Sequence, residues 1–308
     1  MAEKRAFLFP GQASQYVGMG KDIYEAKQYP IAKEVFDLAN DLLGFDITSI
    51  CFNGPEEQLK QTKITQPAIF IHSYIINKIL AEKNVAVDVL AGHSLGEYSA
   101  LVAANSMSFE DGLKAVKKRG ELMQAAGEEQ PGTMAAIIGL TQDEVVKICD
   151  TASAAGIVQP ANFNSLTQIA ISGSISGVER AMELARKEGA QKVIPLVVSG
   201  AFHSPLMESA QVELKKELDS ISINNAEFPV YANVTAKPVN SEDEIRELLF
   251  KQLTYPVRWV ETIQNMLDDG VKEFYEVGPG KVLSGLVKRI NRRVTIKVIG
   301  TVDDLEKI

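Results

Sequence analysis

Cysteine, histidine and long apolar runs are all scarce in this chain, and each scarcity excludes something. Only two cysteines occur, Cys51 and Cys149. They lie far apart with no Cys-x-x-Cys spacing, so neither a disulfide framework nor a cysteine-rich metal site is available. A reducing compartment fits that usage. No run of about 18 apolar residues, the length a spanning helix needs, is present, which argues against a membrane partner. Between the first charges and Pro10-Gly11 only AFLF is apolar, too short for the core of a signal peptide, so a cytoplasmic protein is expected. Basic residues are the minority, 32 against 40 acidic ones for a net charge of −8. That sign argues against a nucleic-acid partner, whose phosphates demand the opposite charge. Three histidines, His72, His93 and His203, limit the candidates for a general base near neutral pH.

What is present is ample apolar material: 45% of 308 residues are hydrophobic, enough for a sizeable core in one large or two smaller domains. RAFLF reads as a short buried strand stopped by Pro10-Gly11. Helical spacing follows in IAKEVFDLANDLL, and Pro67 suits the first turn of a second helix, PAIFIHSYIINKILAEK. VAVDVLAGHSLGEYSALVAA reads as strand, sharp turn, helix. From the turn-rich GEEQPG onward the rhythm changes. TMAAIIGL, IVQPANFN, QIAISG and QKVIPLVVSG read as strands. TQDEVVKICDTASAAG, with Thr141 and Glu144 at capping-box spacing, and SGVERAMELARKEGA read as helices. The order β-α-β-β-α-β is that of a ferredoxin-like unit. The expected fold is therefore α/β, with a hydrolase-like domain on a parallel sheet (1–127 and 201–308) interrupted by a ferredoxin-like subdomain (128–200). VKEFYEVGPG and KVLSGLVKRINRR read as a late strand and the last helix.

Gly92-His93-Ser94-Leu95-Gly96 is a Gly-x-Ser-x-Gly pattern placed between a strand and a helix, where small residues on either side let the chain turn abruptly and leave the serine at the tip. Ser94 is thus a candidate nucleophile. Its hydroxyl needs a base. His93 adjoins it on a side chain expected to point away, and His72 sits among isoleucines, so elimination leaves His203 in GAFHSPLM. Attack on a carbonyl creates an oxyanion that needs preorganised donors. The N–H of Leu95 supplies one, and the turn at Gln12 a second, unless that turn is an ordinary glycine turn. Arg119, 25 residues past the serine, reads from spacing alone as part of a solvated basic face, or else as a bidentate carboxylate holder.

FPGQASQ, GHSLGEYSAL, KKRGELMQ, NFNS, GAFHSPLM, QLTYPVRW and EVGPGKVLSGL occur in order over nearly the whole chain, and together they resemble the malonyl-CoA:acyl-carrier-protein transacylases of discrete fatty acid synthesis. The resemblance implies that Ser94 takes the malonyl group, that His203 is its base, and that the N–H groups of Gln12 and Leu95 form the oxyanion hole. It also implies that Arg119 binds the malonyl carboxylate, that a backbone carbonyl at Gln252 orients the histidine, and that Asn162 and Asn164 line the cleft between subdomains. Phe202 occupies a position where relatives accepting methylmalonyl tend to carry serine, so it is expected to favour malonyl. One departure stands out. Ala13 replaces the glycine usual in Gly-Gln-Gly-Ser-Gln, which matters only if position 13 requires a positive φ.

The implied partners are malonyl-CoA and acyl carrier protein, with no metal or redox cofactor. An esterase or thioesterase on the same elbow is the enzymatic rival, and Arg119 discriminates, because a simple esterase has no use for a buried cation. A non-catalytic carrier-binding module is the rival from another class. Lys281, Lys288, Arg289, Arg292 and Arg293 cluster near the EVGPG turn, as a solvated helix face or as a docking patch for an acidic carrier.

Overall fold

A computed structural model describes residues 4–308. Among the described residues, ten strands form two separate sheets. The larger contains β1 (Lys4–Phe9), β2 (Val89–Gly92), β7 (Val230–Tyr231), β8 (Pro238–Val239), β9 (Val271–Val277) and β10 (Thr295–Ile299) in the order β10-β9-β1-β2-β7-β8. All neighbours in it run parallel except β7 and β8. The smaller contains β3 (Gly132–Ile138), β4 (Val158–Ser165), β5 (Gln168–Ser174) and β6 (Lys192–Leu196) in the order β4-β5-β3-β6, antiparallel throughout. The protein is therefore mixed α/β, with one parallel-rich and one antiparallel sheet.

The period of two along β1 explains how the larger sheet is covered on both faces. Phe7 and Phe9 enter the core built with the long helices Thr62–Glu82 and Phe109–Glu129, while Ala6 and Leu8 pack on the opposite face against Trp259, Phe274 and Leu286. The antiparallel sheet sorts its residues the same way. Ala135, Ile137, Ile169 and Ile171 pack under its own helices Gln142–Ala152 and Ile175–Lys187, while Met134 and Ala170 join the large core. Thr141 and Glu144 form the capping box that starts the first of those helices, each side chain meeting the other residue's N–H.

Three readings of the sequence need correction. The helix containing Pro67 starts at Thr62, so the proline lies inside it. There its missing N–H leaves the carbonyl of Lys63, in the first turn, without its helical donor. The turn-rich GEEQPG begins as helix, since Phe109–Glu129 runs through its first three residues before Gln130 caps it. KVLSGLVKRINRR is not the last element either. Its helix, Val282–Ile290, is followed by β10 and by the short helix Val302–Leu305. TIKVI was hard to see because it is a half-exposed edge strand, where only one residue is fully buried.

β4 is tied to the segment between the helices Glu242–Gln252 and Trp259–Asp268. Asn162 of β4 bridges in parallel to Val257; the N–H of Phe163 donates to the Val257 carbonyl at 2.9 Å, and Val257 donates back to Ala161 at 2.8 Å. Beside it, the Gln159 amide donates to the carbonyls of His203 and Thr254 at 2.8 and 3.0 Å.

Candidate active site

The turn after β2 is as tight as its glycines permit. A Cβ on Gly92 would lie 1.9 Å from the backbone of Gly96, and one on Gly96 would lie 2.0 Å from the carbonyl of Phe9. Neither distance is physically possible. Between them Ser94 is forced to φ 51°, the left-handed region that costs an L-residue roughly 1–2 kcal/mol. Its backbone is held there from both sides. The N–H of Ser94 donates to Asn233 Oδ1 at 2.6 Å, and its carbonyl accepts from Gln252 Nε2 at 2.9 Å.

At the tip, Ser94 Oγ lies 2.8 Å from His203 Nε2, and His203 Nδ1 lies 2.8 Å from the Gln252 carbonyl oxygen. A carbonyl can only accept, so Nδ1 carries the proton and Nε2 presents its lone pair to the serine hydroxyl. Burial, and secondarily the cation of Arg119, push the His203 pKa down to about 3. The imidazole is thus neutral across the working range, the form a base requires.

Arg119 is completely buried. Its guanidinium donates to Gln66 Oε1 at 2.8 Å, to Gln252 Oε1 at 2.9 Å and to Ser94 Oγ at 2.9 Å. Tyr98 lies with its ring centre 5.6 Å from the guanidinium carbon. All these partners are neutral, and burial pulls the arginine pKa below its ordinary value. Sequence spacing alone favoured a solvated face; the structure overturns that, because the helix Phe109–Glu129 turns this residue inward beneath the elbow.

These groups open onto a cavity of about 880 Å³ lined by Gln12, Leu95, Asn162, Phe202 and both sheets' loops. Gly11 packs so closely on His93 that a Cβ would sit 2.4 Å from its carbonyl, which sets the Gln12 turn against the elbow. Among the described residues, the N–H groups of Gln12 and Leu95 meet no acceptor. Asn164, by contrast, does not line the cavity. Its Oδ1 lies 2.8 Å from His93 Nε2; residues two apart share a face in a regular strand, but the register of β4 shifts between Phe163 and Ser165. The His93 ring meets Asn164 and, edge to face, Trp259 with ring centres 5.4 Å apart.

A family model described as an acyl transferase domain matches residues 6–304. The chain belongs to the acyl transferase family. It is 46% identical over 304 residues to a malonyl CoA-acyl carrier protein transacylase of Bacillus subtilis, covering 98% of this chain and 95% of that one. To the transacylase of the same name from Haemophilus influenzae it is 45% identical, covering 94% and 92%. Among solved structures, the malonyl CoA-acyl carrier protein transacylase of Coxiella burnetii superposes with a TM-score of 0.95 at 41% identity, covering 100% and 97%. A malonyl-transacylase in complex with its type II PKS acyl-carrier protein superposes at 0.95 and 39%, covering 99% and 98%.

Several residues that build this transferase site were not singled out from sequence. Gln66 and Asn233 are lone amides in a helix and at a strand end, with no local signal. Glu97 directly follows the elbow, so its place in GHSLGE was the available clue. Its buried carboxylate accepts from Gln252 Nε2 at 2.7 Å and from the N–H of Asn233 at 3.1 Å. Burial raises its pKa to about 7, against the lowering effect of those two donors and of Arg119. Among the described residues, no group of three acidic, histidine or cysteine side chains is arranged to hold a metal ion, and no helix is long and apolar enough to cross a membrane.

Proposed function

We propose that this transferase moves the malonyl group from malonyl-CoA to the phosphopantetheine thiol of acyl carrier protein through a malonyl-serine intermediate. One observation carries the reading: a fully buried arginine whose acceptors are all neutral, with its guanidinium 2.9 Å from the nucleophilic oxygen. Glu97 reaches that cation only across the Gln252 amide, and the free carboxylate of a malonyl group supplies a direct planar partner with two oxygens. Acetyl-CoA carries no such group.

In the first half-reaction Ser94 Oγ attacks the thioester carbonyl while His203 Nε2 takes its proton. The oxyanion is met by the N–H groups of Gln12 and Leu95. The C–S bond breaks, the CoA sulfur receives the proton from His203, and malonyl remains on Ser94. In the second, the carrier thiol gives its proton to His203 and attacks the ester, and Ser94 is regenerated. The Gln252 carbonyl keeps the imidazole in the required tautomer, the part an acidic residue takes in many triads. Asn162 and Phe202 border the acyl group, and Asn164 acts through His93.

The same reading covers the architecture and setting. The large unit, residues 1–127 and 201–308, is hydrolase-like, and residues 128–200 form a ferredoxin-like subdomain; the antiparallel order β4-β5-β3-β6 and its two covering helices support the latter. The enzyme is cytoplasmic and serves fatty acid or polyketide elongation. Incubation with malonyl-CoA followed by intact-mass measurement tests the function: the expected result is one malonyl adduct, absent from Ser94→Ala. An adduct of equal yield from acetyl-CoA would overturn it in favour of a neutral-acyl enzyme.

A further inference from the structure

The Gln252 side chain stands between two groups of opposite chemistry. Its Oε1 accepts from Arg119 at 2.9 Å, while its Nε2 donates to Glu97 at 2.7 Å and to the Ser94 carbonyl at 2.9 Å. An amide could be turned over, presenting its nitrogen to the arginine. Nothing on the Arg119 side could accept from that nitrogen, since a guanidinium only donates. On the other side an ionised carboxylate only accepts, so it demands the NH₂ end of the amide. Glu97 also takes the N–H of Asn233, whose side chain holds Ser94 N at 2.6 Å and the Gly92 carbonyl at 2.6 Å. One carboxylate thus touches neither substrate nor nucleophile, yet it is joined to both halves of the site.

We propose that Glu97 is a positioning residue for selection of the anionic acyl group: its carboxylate fixes which end of the Gln252 amide meets Arg119, and so holds the guanidinium over Ser94. The inference rests on the malonyl-transfer reading above. Arg119, from the helix Phe109–Glu129, is the charged group acting on Glu97. Tyr98 of its own helix is the other titratable neighbour, and the groups from the remaining packed elements, Gln252 and Asn233, are neutral. Once protonated, Glu97 offers a hydroxyl as well as an acceptor, the orientation of Gln252 is no longer dictated, and Arg119 loses its fixed place.

The readout is the ratio of Ser94 acylation rates with malonyl-CoA and acetyl-CoA, measured on the intact enzyme from pH 5.5 to 8.5. Effects on His203, on CoA departure and on folding are common to both substrates and cancel. In the wild type the ratio should fall severalfold as pH drops through the region near 7 where Glu97 titrates. Glu97→Gln should lower the ratio about tenfold at pH 8 and leave it flat with pH. Glu97→Asp, which keeps the charge on a shorter arm, should lower the ratio while keeping its pH dependence. Equal losses on both substrates, or a wild-type ratio flat across the range, would overturn the proposal while malonyl transfer itself stood. Absence of any malonyl adduct on wild-type Ser94 is the separate result that removes the underlying function.

Discussion

Arg119 keeps its charge among amides and a hydroxyl, and that arrangement makes the strongest prediction at the scale of single residues. Arg119→Ala should lower malonylation of Ser94 by roughly 10³–10⁴-fold, the discrimination typical of a site built to pair a group that is then missing its partner. Acetylation should fall much less, so the substrate preference inverts. Arg119→Lys keeps the charge without the planar fork and should be intermediate. Single-turnover acylation with both thioesters measures all three, and equal losses would make Arg119 a residue of the fold. His203→Ala should slow acylation by about 10²–10⁴-fold, the usual contribution of a positioned base; a full rate would remove its role. Phe202, nearly buried in the cavity wall beside His203, should exclude an α-methyl group. Phe202→Ser should therefore raise the methylmalonyl to malonyl ratio, by no more than a methyl is worth, about 1–3 kcal/mol. At this scale the sequence was most legible where chemistry is carried by rare residue types in a local motif. Three histidines and one elbow led to Ser94 and His203, which lie 2.8 Å apart. Gln66, Asn233 and Glu97 act through amide and carboxylate contacts made across 53 to 155 positions of chain, and no local pattern marks them.

Elements were legible where periodicity was strong and illegible where a neighbour decided the outcome. The capping box at Thr141 could be read from two residues. The strand β7, only Val230–Tyr231, could be seen in FPVYANV, whereas its continuation as the Asn233 clamp could not. The turn carrying Gln12 offers a test at this scale. Ala13 adopts φ 83° there, so the position does favour glycine, and the departure from the family's Gly-Gln-Gly-Ser-Gln has a physical cost. Ala13→Gly should relieve roughly 1–2 kcal/mol of left-handed strain and return about 0.4–1 kcal/mol of it through the looser unfolded chain. A net gain of up to about 1.6 kcal/mol is expected in denaturant titration. A loss would show that the surrounding turn, where the Ala13 N–H donates to Gln15 Oε1 at 2.8 Å, already absorbs the strain.

For the whole molecule, two consequences follow from where charge is kept and where it is excluded. His72 is buried with neither ring nitrogen in a well-formed hydrogen bond among the described residues, and burial, against a smaller raising effect of the Gly300 backbone, lowers its pKa to about 4. The unfolded histidine titrates near 6.5. Below that pH the unfolded chain binds a proton that the folded one refuses, so stability is lost as pH falls from 6.5 toward 4, at about 1.4 kcal/mol per pH unit. His203 acts in the same direction; Glu97, with its raised pKa, acts in the opposite one, losing stability as pH rises from its unfolded value toward 7. His72→Phe should therefore gain in melting temperature relative to wild type on going from pH 7 to pH 5, and an unchanged gap would contradict the account. The second consequence concerns docking. The chain is net negative at −8, so an acidic carrier needs a local basic surface. Lys281, Lys288, Arg289, Arg292 and Arg293 are exposed around the helix Val282–Ile290. Its approach turn packs on the Gln12 loop through Gly278 against Pro10 and Gly280 against Ser14. Charge reversal at Lys288 and Arg289 should slow transfer to carrier protein and spare acylation by malonyl-CoA; equal effects on both half-reactions would exclude this surface. The contact between β4 and the Val257 segment gives the molecule an interlock. Gln159 of β4 donates to the His203 carbonyl next to the Phe163–Val257 contact, so the smaller sheet helps to set where the imidazole stands relative to Ser94.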